Sequence, residues 1–164
     1  NAEVATGITA AEWAACATTV MSCMSKGLGA PIGSLLAGPA DLIDAGRVER
    51  KRLGGAMRQA GIVAAAGLLA LERNVERLAE DHARARRLAE SIAERWPEAG
   101  VDPAGVETNC VVARHPKPAV VLESLAADGV LATSVGPDRL RFVTHLDVGD
   151  DGIEQARKAI AAAP

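Results

Sequence analysis

The alternation of apolar and polar positions divides the chain into short elements at its front, one long helical stretch in the middle and a mixed tail. Residues 9–17 read as a short helix: Thr9 can cap it, Glu12 stands three positions later as in a capping box, and Trp13 opens the apolar face. Residues 19–24 form a compact apolar run of the kind that makes a strand buried on both faces. That run leads directly into Ser25-Lys26-Gly27-Leu28-Gly29-Ala30-Pro31, which no regular element tolerates. A second strand, residues 32–37, stops at Gly38-Pro39. The pattern therefore predicts a hairpin-like pair of strands joined by a tight glycine loop that holds one lysine.

Residues 41–53 read as an irregular helix of alternating charge, followed by Gly54-Gly55. From Met57 to Trp96 the positions Leu68, Leu71, Val75, Leu78, Ala85, Ala89, Ile92 and Trp96 recur at threes and fours, which predicts a single long helix closed by Pro97. Its first part, residues 61–71, is apolar all round, and it becomes amphipathic from Glu72, as a connector between two bodies would. The tail predicts a strand at 106–113, a helix at 118–128 ended by Gly129, strands at 130–134 and 140–144, and a last helix at 153–162 with Asp151 and Glu154 as a capping pair. The class is α/β.

Composition narrows the functions open to the chain. It has 164 residues, a net charge of −3 with the signs interspersed, and only Trp13, Trp96 and Phe142 as aromatics. A nucleic-acid partner calls for a basic stripe and stacking aromatics, so none is expected. No apolar run approaches the ~20 residues that span a bilayer, and no secretory leader is visible, so no membrane partner is expected either. Cys16, Cys23 and Cys110 are an odd set without a CxxC pair; reduced, buried thiols in a cytoplasmic protein suit them better than disulfides or a metal site. There are 34 alanines but no repeat.

Candidate chemistry starts from lysine. There are four, and Lys51, Lys117 and Lys158 stand in polar surroundings, whereas Lys26 follows an apolar strand and precedes the glycine loop. Held dry, such an ammonium would lose its proton readily and form Schiff bases with aldehydes. A lysine at a strand end can equally extend into water. Arg141 reads as a strand-end arginine paired with a nearby acid such as Asp138 or Asp147. His82 and His115 read as surface residues, and His145 as lying on the strand face opposite Arg141.

The blocks Ser25 to Ser34, Arg50-Lys51, Gly54 to Gly61, Glu80-Asp81-His82, Thr108-Asn109 and Leu140 to Val148 resemble, in order and spacing, the C-terminal half of low-specificity L-threonine aldolases. These are aspartate-aminotransferase-like, fold type I enzymes that use pyridoxal 5′-phosphate. The resemblance implies that residues 1–55 are the end of the cofactor-binding large domain, 56–96 the interdomain helix and 97–164 a small C-terminal domain. It implies that Lys26 forms the Schiff base with the cofactor and that Ser25 donates to its phosphate. It also implies that Lys51 and Arg58 approach the active site from a neighbouring subunit, and that Arg141 receives the substrate α-carboxylate. The implied reaction is cleavage of L-threonine or L-allo-threonine to glycine and acetaldehyde by a cytoplasmic homodimer or homotetramer acting on a small amino acid. The family's chains are about twice as long, so an N-terminal half is expected elsewhere, carrying the phosphate cup, a ring-stacking histidine and an aspartate for the pyridine nitrogen. Thr18 stands where the family usually has an acid. Two alternatives remain open: a non-catalytic fragment retained for assembly, and another lyase reaction on the same scaffold.

Overall fold

The computed structural model describes residues 1–164. The chain divides into two compact units, Ala2–Arg77 and Leu78–Pro164, with Asn1 belonging to the second.

The unit Ala2–Arg77 opens with two short helices, α1 (Ala2–Thr6) and α2 (Ala10–Ala14). The capping box expected at α2 is present, because Thr9 Oγ1 accepts from the Glu12 amide at 3.2 Å and the Thr9 amide donates to Glu12 Oε2 at 2.9 Å. Strands β1 (Val20–Cys23) and β2 (Ser34–Ala37) then pair antiparallel, Val20 opposite Ala37 and Cys23 opposite Ser34. The hairpin is as predicted but its burial is not. Met21, Leu35 and Leu36 are half or more exposed, since two strands alone leave both faces of the pleat toward water. Helices α3 (Ala40–Arg52) and α4 (Gly61–Arg73) follow. The core here is small: Met24, Ala30 and Ala70, with Leu28 packed against them.

The single helix expected over residues 57–96 is two helices, α4 and α5 (Leu78–Arg95), separated at residues 74–77. Asn74 causes the stop. Its amide still bonds back to Ala70, but its side-chain Nδ2 donates to the Leu28 carbonyl at 2.7 Å. A side chain that prefers local and loop hydrogen bonds to the helix ladder gains a fixed partner there. The boundary between the units falls at the end of this break.

The unit Leu78–Pro164 is a three-stranded antiparallel sheet backed by helices. Strands β3 (Cys110–Arg114), β4 (Thr133–Ser134) and β5 (Arg139–Val143) lie in the order β3-β5-β4, and α6 (Pro118–Ala127) and α7 (Asp150–Ala162) complete the unit. Leu88, Ala89 and Ile92 on α5 recur at the helical period and meet Val111 and Leu140 of the sheet and Ile153 and Ile160 of α7 in one buried cluster. Each fully buried Ile or Leu contributes roughly 1.5–3 kcal/mol of transfer free energy. Strand alternation puts Leu140 and Phe142 into this core and Arg139, Arg141 and Val143 on the opposite, open face.

Four further expectations change. Cys16 and Cys110 are exposed and Cys23 is half-buried, so the thiols are not the buried set expected. β3 begins at Cys110 and not at 106, because the chain first makes a 3-10 turn at Pro103–Gly105. α7 begins at Asp150 with Gly149 at the cap and no side-chain cap, so Asp151 and Glu154 form no capping pair. Glu154 is drawn instead to arginines, pairing with Arg87 and with Arg157, and the neighbouring Asp150 does likewise, its Oδ1 lying 2.7 Å from Arg87 Nη1 and 3.3 Å from Arg84 Nε. His82 is buried, not a surface residue; its Nε2 meets Asn1 Oδ1 at 2.8 Å. No helix is long and apolar enough to cross a membrane.

Candidate active site

Lys26 lies on the loop between β1 and β2. The loop is shaped by its backbone: the Met24 amide bonds to the Gly33 carbonyl at 2.9 Å, and the Ala30 amide to the Met24 carbonyl at 3.0 Å. This doubling back needs φ of +72° at Gly29 and +127° at Gly33, conformations that side chains strongly disfavour. Met24, Leu28 and Ala30 tuck in toward Ala70 of α4, and the residues between them are left outside. Lys26 and Ser25 are therefore both exposed. The expectation of a lysine held dry fails within this chain, because only apolar neighbours of the loop fold inward and none covers the amine.

Lys51 occupies the last turn of α3, where a cation is favoured by the helix C-terminus, and Arg58 lies in the turn that precedes α4. Both are exposed, and no hydrogen bond or ion pair joins either to the Lys26 loop. Ser25, Lys26, Lys51 and Arg58 share the unit Ala2–Arg77, and Arg141 belongs to the other.

Arg141 stands at the middle of β5, opposite Val112 on β3 and Thr133 on β4. The reading that an acid occupies it is not met. Asp138 lies 4.0 Å from Arg139, and Asp147 lies 3.5 Å from His145 Nδ1. Arg141 instead makes one side-chain hydrogen bond, from Nε to Thr133 Oγ1 at 3.2 Å, which leaves its Nη1 and Nη2 edge open. His145 is not on a strand face at all, since β5 ends at Val143. The sequence does not single out Thr133: its only signal is a β-branched residue in a predicted strand, and cross-strand register is not written in either strand alone.

Within Ala2–Arg77 the donors fit part of a carbonyl cofactor's site: an accessible primary amine beside a hydroxyl on a glycine-shaped loop. No group of three or more His, Cys, Asp or Glu side chains is arranged to hold a metal ion.

Solved structures place this architecture. A serine palmitoyltransferase from Sphingomonas wittichii superposes with a TM-score of 0.68 at 15% identity, over 92% of this chain and 41% of that one. A Listeria monocytogenes protein assigned as an L-allo-threonine aldolase gives 0.69 at 18% identity, over 97% and 48%. The fold is the mixed α/β architecture of fold type I pyridoxal-phosphate enzymes, of which this chain covers part. In sequence, residues 1–116 match the family model described as beta-eliminating lyase, and the chain belongs to that family. It is 41% identical over 157 residues to the low specificity L-threonine aldolase of Escherichia coli, and 35% identical over 150 residues to low-specificity L-threonine aldolase 1 of Arabidopsis thaliana. These alignments take in 94% and 88% of this chain but only 45% and 42% of the relatives, so the chain spans less than half their length. Pyridoxal phosphate is the cofactor that this membership implies.

Proposed function

We propose that this chain is the C-terminal part of a pyridoxal-phosphate-dependent aldolase that cleaves β-hydroxy-α-amino acids, with L-threonine or L-allo-threonine as substrate and glycine and acetaldehyde as products. The observation that carries the reading is the Lys26 loop: an accessible amine, in a chain of the beta-eliminating lyase family, on a turn whose two glycine conformations exist to form it. When bound, the cofactor supplies the electron sink for breaking the Cα–Cβ bond. Lys26 holds the cofactor through its amine, and Ser25 offers a hydroxyl to its phosphate. Arg141 grips the substrate α-carboxylate through the open edge of its fork, which fixes the orientation of the bond to be cleaved. Lys51 and Arg58 supply positive charge at the active site of a neighbouring subunit.

The exposure of Lys26 and of the hairpin's apolar faces supports a site that is covered by surface from outside this chain. The rest of the enzyme's length and a second subunit provide that cover, and the assembled enzyme is a homodimer or homotetramer. The test is turnover by the assembled enzyme. L-threonine should yield equimolar glycine and acetaldehyde, and Lys26→Ala should lose both the product and the near-visible absorption of bound cofactor. Release of pyruvate from L-serine without acetaldehyde from L-threonine would reject the aldolase in favour of another lyase. An assembled wild-type protein with no cofactor band would favour a non-catalytic role.

A further inference from the structure

The single hydrogen bond that the Arg141 side chain makes constrains how it can be used. A guanidinium has two edges able to hold a carboxylate by parallel hydrogen bonds, the end edge of Nη1 and Nη2 and the side edge that includes Nε. Thr133 lies directly across the β4–β5 pair from Arg141, and its Oγ1 accepts from Nε at 3.2 Å. The same hydroxyl donates toward the Arg141 carbonyl at 3.5 Å, a longer contact that ties the side chain to its own strand. The nearest acids in sequence, Asp138 and Asp147, lie instead 4.0 Å from Arg139 and 3.5 Å from His145 Nδ1.

We infer that Thr133 is a positioning residue for Arg141: by occupying Nε it closes the side edge and leaves the Nη1–Nη2 edge as the one face that receives a substrate carboxylate. This rests on the proposed role of Arg141 and adds to it the direction from which the amino acid is held. Thr133 touches no reacting atom. Its contribution is present before and during the reaction alike, so its loss weakens binding more than it slows the chemical step.

The experiment is a set of variants in the assembled holoenzyme. Thr133→Val keeps the shape and the strand preference but removes the hydroxyl; Thr133→Ser keeps the hydroxyl. Thr133→Val should raise KM for L-threonine about three- to tenfold, the scale of one hydrogen bond to a charged group near water, with kcat within about twofold. Thr133→Ser should restore KM to near the wild-type value. In an Arg141→Ala background, Thr133→Val should add nothing, and it should leave unchanged the binding of an amine that lacks a carboxylate, such as 2-aminoethanol. Wild-type KM in Thr133→Val, or an equal loss for the amine or in the Arg141→Ala background, overturns the inference. If Arg141→Ala raises KM steeply while Thr133→Val does not, only the inference falls; if Arg141→Ala leaves KM unchanged, the role of Arg141 falls with it.

Discussion

In Leu78–Pro164 the side chains of Ile92, Leu125, Leu140, Ile153 and Ile160 are almost entirely removed from water, whereas Ala2–Arg77 buries little beyond Met24, Ala30 and Ala70 and leaves Trp13, Met21, Leu35, Leu36, Ile62 and Leu68 between 46% and 79% exposed. The two stretches are of similar length, so size does not explain the contrast. The second unit has a sheet with helices packed on one face, an arrangement that closes a core by itself. The first has a two-stranded ribbon and separate helices, and a ribbon of that size does not reach independent stability. The difference is one of burial: one unit encloses a continuous core, and the other carries the Lys26 loop on a framework that leaves much of its apolar surface uncovered.

The largest expected effect sharpens this division. Lys26→Ala should lower aldolase turnover of the assembled enzyme by about a thousandfold or more, the scale seen when a covalent catalytic group is removed, while leaving the unfolding of Leu78–Pro164 unchanged. Equal loss of stability would show the lysine to be structural. Next comes the same substitution at two places. Ile92→Ala, in the closed core, should cost about 2–5 kcal/mol in a urea titration. Ile62→Ala, on the exposed side of α4, should change the stability of the isolated chain by no more than about 0.5 kcal/mol. Similar costs at both sites would break the comparison.

A smaller effect is expected at Thr144. It is buried, and its hydroxyl donates to the Asp81 carbonyl at 2.6 Å, fastening the end of β5 to the first turn of α5. Thr144→Val should lose about 1–2 kcal/mol of stability by the same titration.

Protonation gives the gentlest probes. His82 is held below the ordinary histidine range by burial, against an opposing pull from Asp81. The unfolded chain therefore takes up that proton first. The stability is whole above the ordinary histidine pKa of ~6.5 and is lost as the pH falls through and below it. Thermal melts at about pH 7.5 and about pH 5.5 should show the drop, and His82→Gln should flatten it.

The Asp150 and Glu154 carboxyls are both held below their usual range, Asp150 by hydrogen bonds from Arg84 and then Arg87, Glu154 by Arg87 and then Arg157. Their support is present above the ordinary carboxylate range and fades as the pH falls beneath it. These carboxylates remain 65% and 45% exposed, so Asp150→Asn should produce only a slight, salt-sensitive flattening of the acid limb of the stability curve.

Much of the tail was legible because its signals are local. The stripe Ala85, Ala89, Ile92 and Trp96 on α5, the helix at Pro118 and the alternation along β5 each arise within one element. The capping box of Thr9 and Glu12 was readable for the same reason. The break after Arg73 was not, since no glycine or proline marks it and the group that holds Asn74, the Leu28 carbonyl, is 46 residues away in the chain. The capping pair expected of Asp151 and Glu154 does not form, since Glu154 pairs with Arg87 on α5, 67 residues away in the chain, and with Arg157.

By itself the sequence determined the hairpin, the lysine on its glycine loop, the amphipathic helices and the family to which the chain belongs. These follow from periodicity, from backbone freedom at single residues and from the order of short blocks, all of which are properties of neighbouring positions. Only the tertiary structure decided that no part of this chain covers Lys26, that His82 is buried and that Thr133 rather than an acid meets Arg141. Each of those depends on which distant segment comes to lie alongside. That choice is made by packing and strand register across the fold, and no local stretch of sequence contains it.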